Sequence, residues 1–241
     1  MPEYLHRFYR EHMRADGLIA FQVTLGESDL FIWAEADLTG LAGSSLERHR
    51  RELEDFIGRN PRFGATYAPY PVNKDAPEVV RMMAQATELV GVGPMAAVAG
   101  TIAELVGLDL LPSSSEIIVE NGGDIFIHSS RERLVGIFAG ESPLSGKITL
   151  KVSPTPREGL GVCTSSATIG PSDSIGAADC ALVVASTAAL ADAAATGLGN
   201  RAKSPSHIEE ALVWTSGIEG VLGCLVIIGE HLGVRGSLHL Q

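Results

Sequence analysis

Two oxygen-bearing side chains in the most alanine-rich part of the chain have a spacing that chemistry can use. In ALADAAATGLGNR (Ala189 to Arg201), Asp192 and Thr196 stand one helical turn apart with only alanines between them. On a helix that spacing puts the carboxylate and the hydroxyl on one face. Such a pair on a tight, otherwise apolar face suits a hard cation such as Mg²⁺, which takes oxygen ligands and keeps several waters. A plainer reading also accounts for both residues. Asp192 is then a first-turn acid favoured by the helix dipole, and Thr196 bonds back to its own helix. On spacing alone the plainer reading is the stronger.

Three other segments carry groups of the same kind. In EIIVENGGDIFIH (Glu116 to His128) two alternating apolar runs flank Asn121-Gly122-Gly123, which reads as a hairpin or a glycine turn at a strand end. A turn explains the glycines but not the acids Glu120 and Asp124 that bracket them, either of which could serve as a base. The segment GVGPMAAVAG (Gly91 to Gly100) starts a helix almost without bulk, so another backbone or a flat ligand comes close there. Thr164, Ser165 and Ser166 open a Ser/Gly-rich loop, TSSATIGPSDSIGAADC, with Cys163 beside them.

The elements that must position these groups follow from patterning. The residues before Asp192 form a buried strand (Ala181 to Ala185), a turn at Ser186-Thr187, and a helix closed by Gly197, Gly199 and Asn200. Near the start, residues 4–15 suit a strand or a short helix. Asp16-Gly17 turns into a strand over Leu18 to Leu25, which Asp29 to Ala36 meets as a hairpin. Thr39 to Gly58 is an amphipathic helix, and Asn60 to Asp75 is a long loop. Pro77 opens a helix to about Leu89, and Met95 to Leu108 is another. Strands are expected near Leu134 to Ala139, Lys147 to Val152 and Leu160 to Cys163. A helix over Pro205 to Trp214 with Ser204 as its N-cap follows, then a hairpin of Val221 to Gly229 with Leu232 to Leu240. The order strands, helices, strands occurs twice, about 16–130 and 131–241. That predicts one compact α+β domain with largely antiparallel sheets and helices on one face. No GxGxxG motif opens a helix after the first strand, which excludes a Rossmann dinucleotide fold.

Composition narrows the function. A formal net charge of −11 argues against nucleic-acid binding, which depends on Lys and Arg neutralising phosphates. Three cysteines without CxxC spacing indicate neither a disulfide framework nor a zinc cluster. No run is long enough to span a bilayer, and the charged start (Glu3, His6, Arg7, Arg10) lacks an apolar signal core. A soluble cytoplasmic protein is expected. Antiparallel sheets can pair edge to edge, so a homodimer is expected as well.

Taken together, GPMAAVAGTIAE (Gly93 to Glu104), VENGGDIFI (Val119 to Ile127), TSSATIG (Thr164 to Gly170) and ALADAAATGLGNR, in that order, resemble an uncharacterised family beside the ApbE-type flavin transferases. The resemblance implies tandem T-fold-like modules with a ligand cleft between them. In the flavin transferases an Ala-Asp-x-x-x-Thr helix holds Mg²⁺ near the FAD pyrophosphate, and that pattern falls on Asp192 and Thr196. It also implies that Asn121, Gly122 and Gly123 bring backbone amides to the ligand, and that Thr164, Ser165 and Ser166 offer hydroxyl donors. The stretch from Gly93 to Gly100 would supply backbone oxygen to the metal. Two features of the transferases are missing: the His and Asp-Pro-x-Thr-Gly stretch after the Thr-Ser segment, and a Lys where Ala99 stands.

The expected function is therefore Mg²⁺-assisted binding of FAD, FMN or a similar small phosphate-bearing molecule. Asp192 and Asp124 are its candidate catalytic groups, for flavin transfer or pyrophosphate hydrolysis. The alternative is a metabolite-binding protein or sensor that kept the fold and lost FMN transfer.

Overall fold

In the computed structural model the described residues are 15–167 and 176–241. The readings placed on residues 1–14 and on residues 168–175 of the Ser/Gly-rich loop lie outside them. Eight antiparallel strands form the main sheet: β1 (Ile19–Leu25), β2 (Ser28–Ala34), β3 (Ile117–Asn121), β4 (Asp124–His128), β7 (Leu160–Ser165), β8 (Cys180–Ala185), β9 (Val221–Ile228) and β10 (His231–Gly236), neighbours in that order. A second sheet joins β5 (Arg133–Ile137), β6 (Ile148–Val152) and the short β11 (His239–Leu240). The hairpin–helices–hairpin order occurs twice along the main sheet. β1 and β2 lead through helices to β3 and β4, and β7 and β8 lead through helices to β9 and β10. The α+β expectation holds.

Side-chain alternation assigns the two faces. In β8, Ala181, Val183 and Ala185 enter the larger core beneath the helices, while Cys180, Leu182 and Val184 enter the smaller core shared with the second sheet. All six residues are buried, as a strand covered on both faces requires. Against the first face pack α1 (Thr39–Arg59), α3 (Glu78–Val90), α4 (Val98–Leu110), α5 (Ala188–Arg201) and α6 (Ile208–Ser216), with the short α2 (Pro61–Ala65) at the end of α1. The alanines of α5 let it lie on the sheet at backbone distance. A Cβ on Gly161 of β7 would stand 2.4 Å from the Ala188 Cα.

Four local expectations are corrected. Gly197, Gly199 and Asn200 do not close the central helix, which continues to Arg201. Gly197 instead makes room for Val90 and Trp214, and Gly199 lies beside Ser165. The 60–75 loop contains α2, whose buried Phe63 stacks edge-on against Phe56 and Tyr70. Ser204 is not the cap of α6: its hydroxyl bonds Ser206 and His207, and a 3₁₀ turn (Pro205–His207) precedes the helix. The final strand breaks at Gly236, whose positive φ of 86° turns the chain so that His239 and Leu240 join β6. Among the described residues no single helix is long and apolar enough to cross a membrane.

Candidate functional site

The residues with chemical potential meet where α4 and α5 cross the middle of the sheet. In the β3–β4 hairpin Asn121 pairs with Asp124, leaving Gly122 and Gly123 as a two-residue loop with φ of 71° and 104°. Positive φ at both positions is the hairpin turn that glycine accommodates without strain. The two acids around it have separate tasks. Glu120 accepts a hydrogen bond from the Gly123 amide (2.8 Å) and so fastens the turn. Asp124 shares the face of Phe126, which belongs to the core beneath the helices, and is buried there.

Around Asp124 the neighbouring strand contributes two contacts. The Thr164 amide donates to its carboxylate at 3.3 Å, and Cys163 lies beside it with its thiol donating to the Ala188 carbonyl at 3.4 Å. From above comes Asp192, also buried, whose Oδ2 accepts from the Gly100 amide at 2.8 Å and which the Ala99 amide also approaches. Asn121 donates its side-chain amide to the Ala99 carbonyl at 3.1 Å, tying the hairpin to the same helix start. Gly100 has no room for a side chain: a Cβ there would lie 2.3 Å from the Ala188 carbonyl oxygen and 2.8 Å from the Asp192 Cβ.

Two buried carboxylates at close quarters disfavour each other's charge. Burial pushes Asp192 up to about 7, with the Gly100 and Ala99 amides pulling the other way. Asp124 is raised well above the carboxylate range, first by burial and then by the charge of Asp192. Cys163 is raised by burial and by both acids, so it is a thiol held in the core and not a nucleophile. No ion pair among the described residues reaches Asp124 or Asp192.

The plainer reading of Asp192 and Thr196 fails on both counts. Asp192 lies in the second turn of α5 and caps a different helix, α4, whose own N-cap residue is Ala97. Thr87, Thr101 and Thr215 each return a hydrogen bond to the carbonyl one turn back in their helices. The hydroxyl of Thr196, half-buried one turn beyond Asp192, makes no hydrogen bond among the described residues.

Not every expected donor is open. The Thr164 hydroxyl donates to the Gly123 carbonyl (3.2 Å) and ties the hairpin turn to β7, while the Gly123 amide is taken by Glu120 within the turn itself, so both are engaged before any ligand is considered. Ser165 is half-buried beside Gly199, and Ser166 follows β7. Gly93 packs elsewhere: a Cβ there would meet the Thr66 carbonyl at 1.9 Å, so the 60–75 loop sets its size. Sequence reasoning missed Glu104. It is buried on α4, accepts from the Ala189 amide at 3.0 Å, and burial pushes it up to about 7. Its signal was an acid at the end of an otherwise small and apolar stretch, GPMAAVAGTIAE.

Among the described residues no group of three or more His, Cys, Asp or Glu side chains is placed to hold a metal ion. The donors at hand are instead two carboxylates and one open hydroxyl. That set fits Mg²⁺, which is commonly held by one or two carboxylates while phosphate oxygens and water complete its shell.

Comparison with known proteins places the family and the fold. The family described as AbpE bacteria matches residues 10–214. A UPF0280 protein of Methanocella arvoryzae is 46% identical over 195 residues, covering 80% of this chain and 79% of that one. Another, from Methanosarcina acetivorans, is 39% identical over 242 residues, covering 99% and 94%. Among solved structures, the flavin transferase ApbE from Vibrio cholerae superposes with a TM-score of 0.60 at 14% identity, covering 91% of this chain and 97% of that one. The ApbE protein of Thermotoga maritima does so with a TM-score of 0.58 at 11% identity, with the same coverage. At these identities the structural likeness establishes the fold. By its sequence relatives the chain belongs to the AbpE bacteria family, and it shares the fold of the ApbE structures.

Proposed function

We propose that this protein binds a phosphate-bearing metabolite, with a flavin nucleotide as the leading candidate, through Mg²⁺ held by Asp192 and Thr196 beside Asp124. The observation that carries this reading is the pairing of two buried carboxylates, which no cation among the described residues reaches, with a hydroxyl that has no partner among the described residues. A divalent cation would offset both charges and polarise a phosphate oxygen. Asn121 and the amides of Ala99 and Gly100 hold the floor of the site, and Asp124 is the group able to take up or release a proton there. The structural neighbours include flavin transferases, which supports a flavin as the ligand.

Binding without transfer is favoured by one specific observation. Ala99, which stands where the transferases carry a Lys, uses its carbonyl to anchor Asn121 and presents only a methyl group. The deciding experiment is thermal stability with FAD, FMN and ADP, each with and without Mg²⁺, since a ligand that binds only the folded state raises the midpoint. A Mg²⁺-dependent rise with FAD that exceeds the rise with ADP is expected. It should vanish in Asp192→Asn, which keeps an acceptor for the Gly100 amide while removing the charge. A rise that is indifferent to Mg²⁺ or to Asp192→Asn would overturn the metal site.

A further inference from the structure

α4 and α5 run antiparallel and cap one another. Asp192 of α5 serves the Gly100 amide in the first turn of α4, and Glu104 of α4 serves the Ala189 amide, with the Ala188 amide also within its reach, in the first turn of α5. Gly100 and Glu104 are one turn apart on α4; Ala188 and Asp192 are one turn apart on α5. The contact is therefore a rectangle with a carboxylate at two opposite corners. α5 already has a cap of its own, since the Thr187 hydroxyl accepts from the Leu190 amide at 3.2 Å. Glu104 makes no ion pair among the described residues and is only 4% exposed, so its burial carries a desolvation cost that no cation offsets.

We propose that Glu104 is a positioning residue for the Asp192 site: by holding the first turn of α5 it fixes the one helix height at which Asp192 meets Gly100 and faces Asp124. The first turn of α5 is held from two sides. Gly161 of β7 lies directly beneath Ala188, and Gly100 of α4 lies against the Ala188 carbonyl, each at a distance that excludes a Cβ. The remaining freedom of α5 is a slide along its axis. The bonds from its first amides to Glu104 oppose that slide, and a slide of one residue would carry Asp192 away from both Gly100 and Asp124. An apolar residue of similar size would fill the same volume without opposing it.

The test compares Glu104→Leu, Glu104→Gln and Glu104→Asp with the natural protein. It reads amide hydrogen exchange by NMR in metal-free protein, and Mn²⁺ affinity by electron paramagnetic resonance. In Glu104→Leu, exchange should quicken by about tenfold at Ala188 and Ala189, the scale of a lost cap, and by a similar factor at Gly100. Glu104→Gln keeps an acceptor and should stay within about threefold at all three amides. If Glu104→Leu does not fold, Glu104→Asp, too short to hold the Ala189 amide, is expected to show the same pattern at smaller size. Quickened exchange at Ala188 and Ala189 with Gly100 unchanged would overturn the proposal and leave Glu104 a local cap. The Mn²⁺ arm rests on the metal reading above, and there Glu104→Leu should bind about tenfold more weakly. Natural protein that binds no Mn²⁺ would refute that reading, while the Gly100 amide still decides the role of Glu104.

Discussion

The molecule buries two groups of acids, one on each side of the hairpin β3–β4, and it treats them in opposite ways. Glu116, just before β3, lies among donors from its own chain. It accepts from the hydroxyl of Ser129 (2.5 Å), the amide of Ser130 (2.8 Å) and the guanidinium of Arg133 (2.7 Å), and from the Ser130 hydroxyl. Burial raises it, but those donors outweigh burial and hold it down to about 2. Asp124 and Asp192 receive backbone amides, and no cation among the described residues. Both are pushed up. A carboxylate completed by its own fold ties elements together. A pair left short of positive charge is where a charge from outside completes the structure.

That contrast breaks most visibly at Arg133. Arg133→Leu strands Glu116 in the interior without its cation, and losing one partner of a buried pair costs about 3–5 kcal/mol. At roughly 2–4 °C per kcal/mol for a chain of this size, the melting midpoint should fall by about 10 °C, with and without Mg²⁺. A fall of a degree or two would mean that the three serine-derived donors suffice and the ion pair adds little.

Next in size is the dependence on pH, where the two groups carry opposite signs. Glu116 has a folded value of about 2 against an ordinary 4.5, so its stability is present above the ordinary value and is lost as pH falls toward about 2. Asp192 and Glu104 have folded values of about 7 against 3.8 and 4.5. The folded protein therefore binds more protons than the unfolded chain between those values. Their contribution is fully present below the ordinary carboxylate value and is lost as pH rises through about 7. In metal-free protein the stability should decline between about pH 4 and about pH 7, by up to about 1.4 kcal/mol per pH unit for each such group, and level off above. Asp192→Asn should flatten that decline, and Mg²⁺ should stabilise the natural protein more at about pH 8 than at about pH 5.5. A midpoint that is level across this range without metal would show that the pair is already satisfied as carboxylates.

Much of this arrangement was legible in the residues. Alternating runs marked β3 and β4, turn residues marked the β1–β2 hairpin, and Asn121-Gly122-Gly123 fixed the second hairpin because few other residues tolerate positive φ twice running. The small residues of α4 and α5 correctly signalled a close backbone approach, and the partner is each other. What could not be read was long-range. Glycines that look like helix stops at Gly197 and Gly199 are packing clearances set by Val90, Trp214 and Ser165, residues far away in the chain. The acids Glu120 and Asp124 differ by which face of the hairpin they occupy, and only the register with Thr164 and the placement of α5 gave them separate tasks. Glu104 stood out only as an acid in an apolar stretch, and its task could not be read because its partners are backbone amides, which every sequence has.

The smallest expected effect is also the sharpest test of the comparison. Thr196→Val removes a hydroxyl that bonds nothing among the described residues, and Val has nearly the same shape and helix preference. In metal-free protein its stability should stay within about 0.5 kcal/mol of the natural value. Thr101→Val, by contrast, removes a buried hydroxyl that bonds the Ala97 carbonyl, and should cost about 1 kcal/mol with no effect on the response to Mg²⁺. The two substitutions are chemically identical and both lie on helices packed over the same sheet. If Thr196 is a ligand, only its substitution reduces the Mg²⁺-dependent rise in midpoint with FAD. If that rise survives Thr196→Val intact, the cation is held by the carboxylates alone. The hydroxyl one turn along α5 would then be a surface group that Asp192 merely happens to precede.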